Sequence, residues 1–172
     1  MISPARILIA DDHTILRDGV RSLLNVVPNF EVIGEVDNGK DAILSAGQLK
    51  PNVIISDLSM PGTNGTEAIQ RINSRYPEIK ILVLTVHNSA EYIHAALKAG
   101  ASGYLLKDDT SEELINAINN ILAGKIHLSP SICGNVVMGY LADQDNQIKS
   151  TSAEQLTTRD REIIKLNAER YK

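Results

Sequence analysis

The sequence predicts an α/β fold built on a parallel sheet with helices on both faces. Short apolar runs alternate with longer stretches of helical period, and the alternation repeats five times before it stops. Three of the short runs are continuously apolar, as strands buried on both faces must be. Composition agrees: 43% of residues are hydrophobic and 22% charged, ordinary globular usage that supports a packed core.

The predicted strands are Arg6 to Ala10, Glu31 to Val36, Val53 to Ser56, Lys80 to Leu84 and Ser102 to Leu106. Between the first two, Leu16, Val20, Leu23, Leu24 and Val27 fall on one helix face before Pro28. The second helix presents Ile43, Ala46 and Leu49 and stops at Pro51. The third presents Ala68, Ile69 and Ile72 and ends near Pro77. The fourth presents Ile93, Ala96 and Leu97 and ends at Gly100. In the fifth, Leu114, Ile115, Ile118, Ile121 and Leu122 form the stripe, Thr110 with Glu113 fits a capping box, and Gly124 stops it.

The period then changes. Ser129-Pro130 starts one more helix, with Ile132, Val136, Val137, Tyr140 and Leu141 on its apolar face. That stripe reads either as a face docked on its own domain or as a partner surface. Asp143 to Ser152 is polar and reads as a linker, and Thr157 and Asp160 offer a cap before Ile163, Ile164 and Leu166.

Composition also sets limits. Six aromatic residues, five Tyr and one Phe, leave little for a base-stacking platform. A single cysteine, Cys133, forms no internal disulfide, which suits a reducing compartment. The apolar runs are too short to cross a bilayer, and the chain is expected to be cytoplasmic, without a membrane partner. The chain is mildly acidic at net -4, and residues 150–172, with five Lys or Arg against four Asp or Glu, net +1, offer little phosphate attraction.

In open α/β sheets, ligands bind beyond the carboxyl ends of the strands, where strand order reverses. The first strand ends in Asp11-Asp12, the third in Asp57, the fourth in Thr85 and the fifth in Lys107. With the strand order 2-1-3-4-5, the three carboxylates converge in one crevice. They repel one another unless a cation joins them, and oxygen donors favour Mg²⁺ at about 2.1 Å. Lys107 adds a point charge and Thr85 a hydroxyl, so the crevice suits a phosphoryl group in transfer, with Asp57 as nucleophile. No Gly-rich nucleotide loop is present, so the donor is not expected to be a nucleotide bound by this chain. His13, His87, His94 and His127 read as surface or loop residues, with His87 close enough to Thr85 to influence access.

Ile7-Leu8-Ile9-Ala10-Asp11-Asp12-His13, Ser56-Asp57-Leu58-Ser59-Met60-Pro61-Gly62, Leu82-Val83-Leu84-Thr85 and Gly103-Tyr104-Leu105-Leu106-Lys107 together resemble the receiver domain of a bacterial two-component response regulator. The tail Leu156 to Ile164 resembles the opening helix of a LuxR-type helix-turn-helix domain and points to the NarL/FixJ branch. The resemblance implies a flavodoxin-like (βα)5 receiver domain at 1–124, a helical linker at 125–153 and the truncated start of the DNA-binding domain at 154–172. It implies that Asp57 is the phosphoacceptor, that Asp11, Asp12, Asp57 and the Ser59 carbonyl hold Mg²⁺, and that Lys107 binds the phosphoryl group. Thr85 would be the switch hydroxyl, and Tyr104 the switch aromatic that moves into the space Thr85 leaves.

The implied partners are a sensor histidine kinase or phosphotransfer protein and a homodimer formed on phosphorylation. DNA is bound specifically only by the longer parent, since the match breaks off before a recognition helix. The chain is expected to be a signalling switch that catalyses only its own phosphorylation and dephosphorylation, and no classical enzyme. Two rivals stand beside it. A phosphohydrolase would carry Asp-x-Asp, where this chain has His13 after Asp11-Asp12 and Ser59 after Asp57. A flavin module would replace the acids with a Ser/Thr loop.

Overall fold

The computed structural model describes residues 3–139 and 141. Its elements run β1 (Ala5–Ala10), α1 (Thr14–Asn25), β2 (Phe30–Val36), α2 (Gly39–Leu49), β3 (Val53–Ser56), α3 (Gly65–Arg75), β4 (Lys80–Thr85), α4 (Ala90–Ala99), β5 (Gly103–Leu106), α5 (Ser111–Leu122) and β6 (His127–Leu128). Contacts divide the chain after Asn135, and every one of these elements lies in the first unit.

The sheet order is β2-β1-β3-β4-β5-β6, with all pairs parallel. The expected five-stranded sheet is therefore corrected to six. Strand β6 is two residues long and set against Gly103 and Tyr104, with flanking bonds from the His127 N–H to the Ser102 carbonyl and from the Ser129 N–H to the Tyr104 carbonyl. Two residues carry no readable alternation, so a strand this short leaves no periodic trace in the sequence.

Alternate residues of the inner strands face opposite cores. Ile7, Ile9, Val53, Ile55, Leu82, Leu84 and Leu105 pack with Val20 and Leu24 of α1 and with Leu114, Ala117, Ile118 and Ile121 of α5. The other face buries Leu8, Ile54, Ile81 and Val83 together with the small and branched residues Ala42, Ala46, Ala68, Ile69, Ile72, Ile93 and Ala96 of α2 to α4. The buried alanines let these three helices lie close to the sheet.

Helix ends follow local chemistry. The Asn38 and Asn64 side chains cap α2 and α3, and Gly100 closes α4 in the left-handed region at φ 111°. Thr110 caps α5 by accepting from the Glu113 N–H at 3.2 Å. The Glu113 carboxylate does not return to complete the box. It meets His127 Nε2 at 2.8 Å instead, tying α5 to β6.

The helix expected after Ser129 begins at Pro130. Ile132 is fully buried, whereas Val137 and Leu141 are exposed, so the predicted stripe is buried only at its start. Tyr140, the polar stretch from Asp143 and the helix-turn-helix match at Leu156 to Ile164 lie outside the described residues.

Gly65 opens α3 against the backbone of Leu58, where an added Cβ would stand 2.5 Å from the Leu58 Cα and 2.6 Å from its carbonyl oxygen. Backbone cannot swing aside as a side chain can. Gly65→Ala is therefore expected to lower stability by about 2 kcal/mol in urea unfolding, in the range of overpacked sites.

Candidate functional site

The polar strand ends meet at the reversal between β1 and β3. Each is held by a ladder bond that continues its sheet: the Asp11 N–H donates to the Val36 carbonyl, the Asp57 N–H to the Ala10 carbonyl at 2.9 Å and the Lys107 N–H to the Thr85 carbonyl at 2.9 Å. Backbone pairing thus sets where the side chains begin, and their convergence needs no loop flexibility.

The sequence-named residues come together. Lys107 Nζ lies 2.8 Å from Asp57 Oδ2 and 2.8 Å from Asp11 Oδ2. Asp57 is 2% exposed, Asp11 4% and Thr85 fully buried. The Ser59 N–H donates to Asp57 Oδ1 at 3.3 Å. Asp12 sits on the exposed side of the crevice, its carboxylate 3.0 Å from His13 Nδ1.

Electrostatics fix which groups are charged. Burial pushes the Asp57 carboxyl upward, but the Lys107 ammonium, the Ser59 N–H and the Thr85 hydroxyl together outweigh it and hold the pKa below its ordinary 3.8. Burial likewise pulls Lys107 down, and its bonds to Asp11 and Asp57 more than reverse this, leaving it above 10.5. At neutral pH the pair is ionised, a carboxylate beside a fixed cation.

Tyr104 is fully buried, and its hydroxyl donates to the His87 carbonyl at 2.8 Å. Burial, then the Asp57 charge, holds the phenol well above its usual range, so it remains a neutral donor. The ring lies inside the fold in this structure.

Three neighbours have partners that spacing does not show, although the sequence places His87 near Thr85 and His13 at the surface. His13, taken as a surface histidine, places Nδ1 3.0 Å from both Asp11 Oδ1 and Asp12 Oδ1. His87 bonds the Ser59 hydroxyl through Nε2 at 2.6 Å and stacks on Tyr92 with centroids 4.1 Å apart, bridging the β3–α3 and β4–α4 loops. Arg17, one turn into α1, donates to the Asp11 carbonyl and lies 3.5 Å from Glu35. Adjacency to Asp12 was the available signal for His13. The other two partnerships arise only in three dimensions.

A mainly apolar cleft of about 600 Å³ runs from Asp57 and Lys107 between α1 and the β5–α5 turn, lined by Ile15, Leu16, Leu23, Val86 and Leu114. Among the described residues, no helix is long and apolar enough to cross a membrane.

Buried carboxylates paired with a lysine at the rim of a doubly wound sheet invite comparison with known proteins. The family model described as the response regulator receiver domain matches residues 7–119. The chain is 39% identical over 166 residues to the nitrate/nitrite response regulator protein NarL of Escherichia coli, covering 96% of this chain and 76% of that one. It is 37% identical over 147 residues to the transcriptional regulatory protein DegU of Brevibacillus brevis, covering 84% of this chain and 62% of DegU. A LuxR-family two-component response regulator from Aurantimonas sp. SI85-9A1 superposes with a TM-score of 0.77 at 34% identity, over 81% of this chain and 99% of that one. The chain belongs to the response regulator family, in its NarL/LuxR-type branch.

The depressed Asp57 pKa contributes stability that is present above the unfolded value near 3.8 and lost as pH falls through the folded value. Lys107→Met leaves two buried carboxylates without their cation. Urea unfolding at neutral pH should then show a loss of about 3 kcal/mol. A pH series below 4 should show the wild-type acid dependence reduced or reversed in the variant.

Proposed function

We propose that this chain is the phosphoryl-accepting switch of a two-component pathway, with Asp57 as the acceptor. The observation that carries the reading is Lys107 Nζ placed equally, at 2.8 Å, between Asp57 and Asp11. A phosphoryl transfer asks for a positioned nucleophile and fixed positive charge, and little else.

In the step, the carboxylate of Asp57 attacks phosphorus in line. An O–P bond forms and the N–P bond of a partner's phosphohistidine breaks, returning the electron pair to the imidazole, which then takes up a proton. Lys107 offsets charge on the equatorial oxygens, the Ser59 N–H orients the carboxylate, and the Thr85 hydroxyl stands ready to donate to the new phosphoryl group. Burial excludes water from the back of the site.

The donor set fits a divalent cation, since Asp11, Asp12, His13 and Asp57 offer ligand atoms within 4.8 Å of one another. Asp11, Asp12 and Asp57, with the Ser59 carbonyl as the resemblance implies, would hold Mg²⁺. When bound, the ion neutralises phosphoryl charge.

Tyr104 and Thr85 are the switch pair in this reading. Their movement would be read on α4, where Tyr92, His94 and Lys98 are exposed, as a shift between two populated states. The apolar cleft beside α1 suits a protein donor, a histidine kinase or phosphotransfer protein, and the catalysis is confined to the chain's own acyl phosphate. The same reading assigns the receiver to 1–124, a linker to 125–153 and the opening of a LuxR-type helix-turn-helix to 154–172. The function is cytoplasmic control of transcription, with a homodimer formed on phosphorylation and DNA bound by a longer chain.

Incubation with Mg²⁺ and acetyl phosphate should add one phosphoryl group by intact mass, with no gain in Asp57→Asn. A folded, Mg²⁺-binding protein that gains no mass would overturn the assignment.

A further inference from the structure

We infer that His13 is itself a ligand of the cation site, and that its imidazole makes the site prefer nitrogen-binding first-row divalent ions, Mn²⁺ and its heavier neighbours, over Mg²⁺. The inference rests on the metal-assisted reading above and adds a ligand and a selectivity to it.

The geometry is that of a coordination shell. His13 Nδ1 lies 3.0 Å from Asp11 Oδ1 and 3.0 Å from Asp12 Oδ1. Neighbouring ligands at about 2.1 Å around an octahedral ion stand roughly 3.0 Å apart, the bond length multiplied by the square root of two. These polar contacts match in length two edges of such an octahedron, so an ion could be taken up there with little rearrangement. Lys107 Nζ takes the Oδ2 atoms of Asp11 and Asp57 at 2.8 Å, leaving Asp11 Oδ1 to the imidazole side, and also stands 3.4 Å from His13 Nδ1, a contact the imidazole would exchange for the ion.

The imidazole is held in this position. His13 is the N-cap residue of α1, yet its side chain makes no capping bond and turns to the carboxylates. Its own N–H donates to Asp11 Oδ1 at 2.8 Å, fixing the backbone on which the ring pivots. One nitrogen equidistant from two carboxylate oxygens has at most one hydrogen to share between them. A cation among the three satisfies all of them together. The ring is 64% exposed, so an ion and its waters can enter from solvent.

The chemistry follows from the donor types. Carboxylate oxygens alone suit Mg²⁺, which gains little from nitrogen. An imidazole raises affinity along the series from Mn²⁺ towards Cu²⁺. The position after the acidic pair therefore sets which ion the site selects.

The probe is Mn²⁺ bound to the full 172-residue chain labelled with ¹⁵N-histidine. Electron spin echo modulation should show histidine nitrogen coupled to the ion, absent in His13→Ala and retained in His94→Ala, which removes an exposed histidine of α4. By titration, His13→Ala should lower Mn²⁺ affinity about tenfold and narrow the Mn²⁺ over Mg²⁺ preference. Circular dichroism checks that the variant folds, and the wild-type echo experiment does not depend on it. Bound Mn²⁺ without histidine coupling, or an unchanged ion preference in a folded His13→Ala, overturns the inference. If the wild type still gains its phosphoryl group with Mg²⁺, that failure falls on His13 alone and the switch reading stands.

Discussion

Two buried carboxylates sharing one ammonium is the constraint around which this fold is arranged. Asp11 and Asp57 lie almost wholly inside the protein, where a lone ionised carboxylate is costly, and they face each other across the seam between β1 and β3. Lys107, from β5, is the group that makes their ionisation tolerable. Removing one partner strands charge in the interior, so the three residues stabilise the folded chain only as a set. The set also leaves Asp57 ionised at neutral pH.

The sheet makes that set possible. Parallel strands with apolar faces on both sides deliver every carboxyl end to the same rim, and the ladder bonds at Asp11, Asp57 and Lys107 carry the order of the sheet one residue past each strand. Around the rim, His87 draws together three elements. Its ring meets Ser59 from the β3–α3 loop and Tyr92 from α4, while its carbonyl receives the buried Tyr104 hydroxyl from β5. Two hydrogen bonds and one ring stack thus join these elements at a single residue.

Most of this was legible in the sequence because it is periodic or terminal. Five strands and five helices announce themselves through spacing, and Asp11, Asp57, Thr85 and Lys107 stand out because they end apolar runs. What stayed hidden has a physical reason in each case. Strand β6 has two residues and no period. Glu113 matches a capping box by spacing, but His127, brought back by the turn after Gly124, offers its carboxylate a different partner. His87 and Arg17 gain their roles from residues distant in sequence. His13 lay beside the acids in plain view, and histidine on a loop is so commonly solvent-facing that only the measured distances set it apart. Tyr104 was recognised as a residue, while its inward placement depends on the His87 carbonyl waiting for its hydroxyl.

The sixth strand also shapes the edge of the sheet. A parallel sheet has two flanks, each able to recruit a foreign strand through unpaired amides. On one flank, the short β6 leaves little ladder to extend, and the chain turns away into the helix at Pro130. On the other, β2 is interrupted by a bulge at Ile33 and carries Glu31 and Glu35, the latter gripped by Arg21 at 2.6 Å. Among the described residues, neither flank offers the long, flat, apolar border from which fibrillar stacking grows.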